Sequence, residues 1–302
     1  MNKKVNKVLF IVNKYAGGGF QLGVEGLMID ACEANDIECT IEFTRSPGHA
    51  TELAREATTK DYQFVIAVGG DGTLNEVAQG LVFTEMPMGI ISCGSGNGMA
   101  RHLGIPLKLK EGLVSLFDSH VLSVDTFSVN GKLSLNVSGI GFDGHVANLF
   151  GGETKRGLAG YVKLAILEYI QFKEFSFQLT VANRKIDQKA FVIAIANSSQ
   201  YGNNARIAPA ASVCDSLLQV TILKKVPAYR ADFIYDMFVG DIQKSRFCDT
   251  LETTALHIKT ERPIAYHIDG EPCGMDDSFE IKIRPSTLQV LVPNKPKHTR
   301  SI

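Results

Sequence analysis

The sequence has no Cys-x-x-Cys pair and no His-rich stretch at metal-ligand spacing. Its six cysteines, Cys32, Cys39, Cys93, Cys214, Cys248 and Cys273, therefore offer no zinc framework and read as reduced, half-buried small apolar side chains. Net charge is nearly absent: 31 Lys+Arg against 32 Asp+Glu leave a formal charge of -1. That excludes a global basic field of the kind that concentrates a protein on nucleic acid or on an anionic membrane, so any membrane contact is local. No run approaches the roughly 18 apolar residues of a membrane-spanning helix; the longest, 190–196, is strand length. The basic start Met1-Asn2-Lys3-Lys4-Val5-Asn6-Lys7 leads into an apolar stretch, 8–12, too short for a signal h-region. Internal repeats and low-complexity segments are missing too. The expectation is a soluble, cytoplasmic protein.

What is present is ordinary globular material: 302 residues, 45% apolar and 21% charged. This length predicts two domains, placed at 1–121 and 122–302. In the first, short apolar runs at 7–12, 38–43, 64–68 and 88–92 alternate with amphipathic stretches at 21–33, 49–59, 73–83 and 97–102. That is the signature of βα units around a parallel sheet, with ligands bound beyond the carboxyl ends of the strands. From about residue 121 the pattern changes to period-two alternation with hairpin signals, which predicts a mainly antiparallel second domain. Asn130-Gly131 is a strong two-residue turn and Asn183-Arg184 a weaker one. Helices interrupt the strands at 158–171 and 229–242, with later strands near 217–223, 255–259, 264–269, 279–283 and 287–292. The tail 293–302, with two prolines and four basic residues, reads as a poorly packed end.

Two loops carry chemistry. Phe64-Val65-Ile66-Ala67-Val68 runs into Gly69-Gly70-Asp71-Gly72-Thr73 and then a helix. Glycines let backbone N–H groups approach an anion, and the helix N-terminus favours phosphate. A carboxylate beside phosphates makes sense if Asp71 holds a cation or takes a proton. Alone, the motif reads equally as a tight turn capped by Asp71 or Thr73. The second loop, Cys93-Gly94-Ser95-Gly96-Asn97-Gly98, ends the next strand, and Ser95, Asn97 and Arg101 offer it hydrogen-bonding groups. No Walker loop is present, and no Gly-x-Gly-x-x-Gly follows any of the strands expected in the first domain, which disfavours P-loop and dinucleotide-binding Rossmann proteins.

These loops, together with Asn13-Lys14-Tyr15-Ala16-Gly17-Gly18-Gly19, 44–50, 94–106, Gly139-Ile140-Gly141-Phe142-Asp143, Ala208-Pro209-Ala210-Ala211 through Asp215 and Asp269-Gly270-Glu271, resemble the diacylglycerol kinase catalytic-domain family. That family also contains sphingosine and ceramide kinases and bacterial lipid kinases. The resemblance implies a three-layer α/β nucleotide domain with a parallel sheet, a β-sandwich second domain, catalysis in a cleft between them, and a chain end that packs back on the first domain. It implies that ATP lies on Asn13, Thr44, Gly69, Gly70, Asp71, Gly72, Thr73, Ser95, Gly96, Asn97 and Arg101, with Asp71 beside the Mg2+ of Mg-ATP. Asp269 or Glu271 would deprotonate a hydroxyl of a diacylglycerol or sphingoid-base type lipid. From the residues alone, Asp269-Gly270-Glu271 is a surface turn after a strand.

Relatives also hold a structural magnesium through one aspartate and two carbonyls, matched here by Asp215, Ser212 and Leu217. Asp215-Ser216 stands where Asp-Gly is usual, and Gln219 where an acid is usual. Asn97-Gly98 replaces the bacterial Asn-Asp, so Ser95-Gly96-Asn97 is closer to the sphingosine kinase version. Asp143 is the acid near Phe142 that could face an amine, Lys155 and Arg156 form a basic pair, His49 is a nucleotide contact or a cap, and His267 shares a strand face with Asp269 and could tune it. The partners expected are a lipid substrate presented at a membrane surface and a second copy of the chain as a homodimer, with no nucleic acid. The alternatives are an NAD kinase-like enzyme, whose family shares the Gly-Gly-Asp-Gly-Thr loop, and a non-catalytic nucleotide or lipid sensor.

Overall fold

The computed structural model describes residues 6–16, 23–151, 158–227, 232–240 and 242–294. The chain divides into two compact units, Met1–Val124 with Ser286–Ile302, and Asp125–Pro285. Gly17, Gly18, Gly19, Lys155, Arg156 and the tail beyond 294 lie outside the described residues.

The first unit contains β1 (Asn6–Val12), α1 (Val24–Glu33), β2 (Ile37–Phe43), α2 (His49–Ala57), β3 (Phe64–Gly69), α3 (Asp71–Leu81), β4 (Met88–Ser92), α4 (Gly98–His102) and α5 (Leu109–Phe117). Continuous apolar runs make β1, β3 and β4 strands that bury both faces, as a parallel sheet requires. β1 pairs in parallel with β2 on one side and β3 on the other, and β4 continues from β3. Val8, Phe10, Val12, Ile66, Val68 and Ile91 pack with Met28 and Cys32 of α1 and Leu113 and Leu116 of α5. α2 and α3 pack together and lie on β1 and on β3–β4, respectively. The strand order 4-3-1-2 reverses direction between β3 and β1, the point at which open α/β sheets bind ligands.

The second unit holds the end of β5 (Ser119–Val129), then β6 (Lys132–Ser134), β7 (Val137–Gly141), α6 (Phe142–Gly151), α7 (Leu158–Gln171), β8 (Phe175–Val181), β9 (Arg184–Ala190), β10 (Val192–Ala196), β11 (Leu218–Leu223), α8 (Asp232–Val239), a 3-10 turn at Ile242–Lys244, β12 (Cys248–Thr253), β13 (Ala255–Ile268) and the first part of β14 (Glu271–Pro293). Its pairings are antiparallel. Alternation along β10 sends Ile193 and Ile195 into one core with Phe127, Phe177, Ile258 and Phe279, and Val192, Ala194 and Ala196 into another with Phe191, Ile207 and Ile242. β14 leaves this unit beyond Pro285, and its last part returns to the first, where Val290 pairs in parallel with Met88 of β4.

Several boundaries differ from the sequence reading. The turn between β8 and β9 is Ala182-Asn183, both at positive φ, rather than Asn183-Arg184, because Val181 pairs with Arg184. Runs expected at 255–259 and 264–269 fuse into β13, and those at 279–283 and 287–292 into β14. α5 and α6 are additional helices. α6 follows β7 with no intervening loop because Gly141, at φ 110°, turns strand directly into helix.

Candidate active-site residues

The loops leaving β1 and β3 meet at the switch point of the first unit's sheet. Asn13 Nδ2 donates to Thr73 Oγ1 at 3.1 Å across it, while Asn13 Oδ1 accepts the Tyr15 N–H at 3.0 Å and so fixes its own turn. Thr44 continues β2, its N–H bonded to the Val12 carbonyl. Gly70 stands immediately before α3, and Asp71, Gly72 and Thr73 are the helix's first residues. The β4 loop lies directly against them. A Cβ at Gly94 would sit 2.7 Å from Gly70 Cα and 2.8 Å from Asn97 Oδ1, so only glycine permits this approach. Asn97, at φ 53°, turns its N–H to Asp71 Oδ2 at 2.9 Å and its Nδ2 to the Gly94 carbonyl at 2.9 Å. Arg101 Nε donates to the Gly96 carbonyl at 3.1 Å, which makes it a brace of this loop. Ser95 is exposed between these anchors. Thus Asn13, Thr73, Gly69, Gly70, Asp71, Gly72, Ser95, Gly96, Asn97 and Arg101 form one cross-braced cluster.

Beside Thr44 a cavity of about 400 Å³ is lined by Lys14, Tyr15, Ile41, Glu42, Phe43, Thr44 and Arg45. Lys14 Nζ lies 5.3 Å from the centre of the Tyr15 ring, which is 75% exposed. The side chains of Lys14, Tyr15 and Arg45 were not singled out from the sequence; their position next to Asn13 and Thr44 was the available signal. His49 Nδ1 accepts the Arg45 N–H at 3.1 Å, so it fixes the turn before α2.

In the second unit, Ile268 pairs with Glu271, and Asp269 and Gly270 between them have φ of 50° and 88°. This is a two-residue hairpin turn of the type that needs positive φ at both positions. Asp269 is committed to structure. Oδ1 accepts Ser134 Oγ–H at 2.6 Å and Asn136 N–H at 2.9 Å, and Oδ2 accepts Leu135 N–H at 2.8 Å. Glu271, the next strand residue, is exposed. His267 contacts Asp143 Oδ2 at 3.3 Å through Nε2 and accepts the Gly270 N–H at 3.1 Å through Nδ1.

Asp215 is exposed, and its Oδ1 accepts the Leu217 N–H at 3.0 Å, closing a small turn in which Ser216 has φ 63°. Ser212 Oγ contacts Cys214. Among the described residues no cluster of three or more His, Cys, Asp or Glu side chains is arranged to hold a metal. A magnesium here would rest on one carboxylate and main-chain carbonyls.

Residues 7–129 match the family model for the diacylglycerol kinase catalytic domain, and residues 136–292 that for the YegS C-terminal NAD kinase beta sandwich-like domain. Proteins named "Probable lipid kinase YegS-like" are similar over most of the chain. The one from Chromohalobacter salexigens is 27% identical over 260 residues, covering 84% of this chain and 83% of the relative. The one from Yersinia enterocolitica is 28% identical over 265 residues, covering 84% and 86%. The crystal structure of a diacylglycerol kinase from Bacillus anthracis str. Sterne superposes with a TM-score of 0.75 at 22% identity, over 97% of this chain and 99% of that one. A further crystal structure from the same organism gives 0.78 at 24% identity with the same coverage, a likeness of fold. With both family models matched in order along the chain, the protein belongs to the diacylglycerol kinase catalytic-domain family of kinases.

Proposed function

We propose that the chain transfers the γ-phosphoryl group of ATP to a hydroxyl of a long-chain lipid of the diacylglycerol or sphingoid-base type. The observation that carries this reading is the cross-braced pair of glycine loops at the switch point, where α3 begins directly behind a backbone stripped of side chains. Such a cradle fits a polyphosphate: the amides of Gly70, Asp71, Gly72 and Thr73 and the side chains of Asn13 and Ser95 would hold it, aided by the helix dipole. The cavity beside Thr44 has the size of a small-ligand pocket and would take the nucleoside. Mg2+, when bound, neutralises charge developing on the phosphates, and Asp71 is the loop's carboxylate for it.

The acceptor's proton goes to Glu271. Asp269 is occupied by three donors in the turn, whereas Glu271 is exposed at the start of the return strand. Little covalent help is needed beyond an oriented hydroxyl and an acceptor for its proton. Presentation of the lipid at a membrane surface is supported by α7, where Ile166, Leu167 and Ile170 are 64%, 57% and 78% exposed on one helix face with Lys163. Apolar side chains displayed this way beside a lysine suit the headgroup boundary of a bilayer. The enzyme would work from the cytoplasm and engage the bilayer transiently.

The test is incubation with labelled ATP, Mg2+ and a panel of diacylglycerol, monoacylglycerol, sphingoid bases, ceramide, phosphatidylglycerol and NAD. Label in a lipid is expected. Label only in NADP overturns the reading in favour of an NAD kinase, and tight ATP binding without any turnover turns it to a sensor. Asp71→Asn keeps an acceptor for the Asn97 N–H. It is expected to keep the melting temperature while lowering turnover at least ~100-fold, the usual scale for losing an electrostatic partner of the transition state.

A further inference from the structure

Gly139-Ile140-Gly141-Phe142-Asp143 has a structural logic that phosphate binding does not explain. Gly139 of β7 is paired directly opposite His267 of β13. A Cβ at Gly139 would lie 1.8 Å from Asp143 Oδ2 and 2.6 Å from His267 Nε2, so the missing side chain is the space in which those two groups meet. Asp143 sits in the first turn of α6. Its Oδ1 accepts the Gly144 N–H at 2.8 Å, and its Oδ2 accepts the Tyr201 hydroxyl at 2.7 Å beside His267 Nε2 at 3.3 Å. The side chains of His267 and Asp143 are 4% and 12% exposed.

The other edge of the imidazole fixes its proton. Gly270 N–H points at Nδ1 from 3.1 Å, and a backbone amide only donates. Nδ1 is therefore the bare nitrogen, and Nε2 carries the proton that faces the Asp143 carboxylate. Gly270 is the second central residue of the turn, and its N–H is left out of the strand ladder. His267 supplies that N–H with a partner one residue before Glu271.

We infer that Asp143 and His267 form a positioning relay: the carboxylate selects the imidazole tautomer, the imidazole anchors Gly270, and the anchored turn sets the direction in which Glu271 is presented. The inference rests on the reading of Glu271 as the proton acceptor. His267 is a positioning residue and touches no reacting atom. The pinning is two-sided, because Asp269 ties the other central residue of the turn to 134–136.

The relay is tested on the full chain at two levels. Long-range 1H–15N NMR without substrate reads the His267 ring directly; a neutral ring protonated at Nε2 is expected, and protonation at Nδ1 overturns the relay. Kinetics then use the lipid accepted in the panel. His267→Phe keeps the ring volume without the acceptor and is expected to lower kcat about 10–100-fold, the cost of misplacing a reacting group, with KM for ATP unchanged. His267→Asn places an amide oxygen where Nδ1 stands and is expected to restore most of that loss. Parental kcat in His267→Phe overturns the relay, as do equal losses in the two variants, since a packing role would treat them alike. Should His267→Phe fail to fold, Asp143→Asn replaces it: a shift of the ring proton to Nδ1 with faster exchange of the Gly270 amide supports the relay, and no change in either overturns it. If no lipid is phosphorylated, the kinase reading fails while the ring tautomer and Gly270 exchange still decide the relay.

Discussion

At the scale of single residues, the two acids of one turn have separate work. Asp269→Asn replaces one accepting oxygen by an amide that faces donors, and is expected to cost about 1–3 kcal/mol of stability, read as a lowered denaturant midpoint. Glu271→Gln should leave that midpoint in place and lower kcat about 10²–10⁴-fold, the range for a lost general base. The reverse pattern would move the base to Asp269. The sequence showed both acids and did not separate them. The separation depends on Ser134, Leu135 and Asn136, which reach Asp269 only through the fold of the sheet. The glycine loops were readable because their chemistry is local: a strand, glycines and a helix start follow one another in the chain. The partners of His267 were not, since Asp143 lies 124 residues away and the brace to Gly270 runs from a ring nitrogen to the backbone.

At the scale of elements, β1, β3 and β4 were legible because a strand buried on both faces must be apolar at every position. α6 was not. It begins without a loop, and its placement on β13 rests on Gly144, where a Cβ would lie 2.4 Å from the Ala265 carbonyl oxygen. The junction of β7, α6 and β13 is correspondingly intolerant. Gly139→Ala is expected to destabilise by about 1–3 kcal/mol through overpacking, visible as a lower melting temperature of the second unit. An unchanged melt would show that Asp143 and His267 have other room. α7 makes the opposite prediction. Replacing Ile166 and Ile170 by Gln should leave the melt in place and reduce cosedimentation with anionic vesicles severalfold, by loss of the apolar contact each residue makes with the bilayer. Undiminished cosedimentation would remove α7 from the membrane contact.

At the scale of the whole molecule, one histidine contributes a pH-dependent part of the stability whose sign follows from its burial. Burial of His102 in α4 lowers its pKa from 6.5 to about 4. Below pH 6.5 the unfolded chain takes up a proton at His102 that the folded one refuses, so this contribution to stability is fully present above 6.5 and is lost as pH drops toward 4. Melts at pH 7.5 and pH 5 should show a smaller difference in His102→Gln than in the parent; equal differences would show that His102 titrates freely in the fold. β14 has a consequence in time. The first unit receives its last strand segment from beyond Pro285, with Val290 beside Met88. On the ribosome, the whole of Asp125–Pro285 must therefore be synthesised before that segment exists, roughly ten to thirty seconds at ordinary elongation rates. During that interval β4 is the edge of an unfinished sheet, an open row of backbone donors and acceptors of the kind that pairs with other chains.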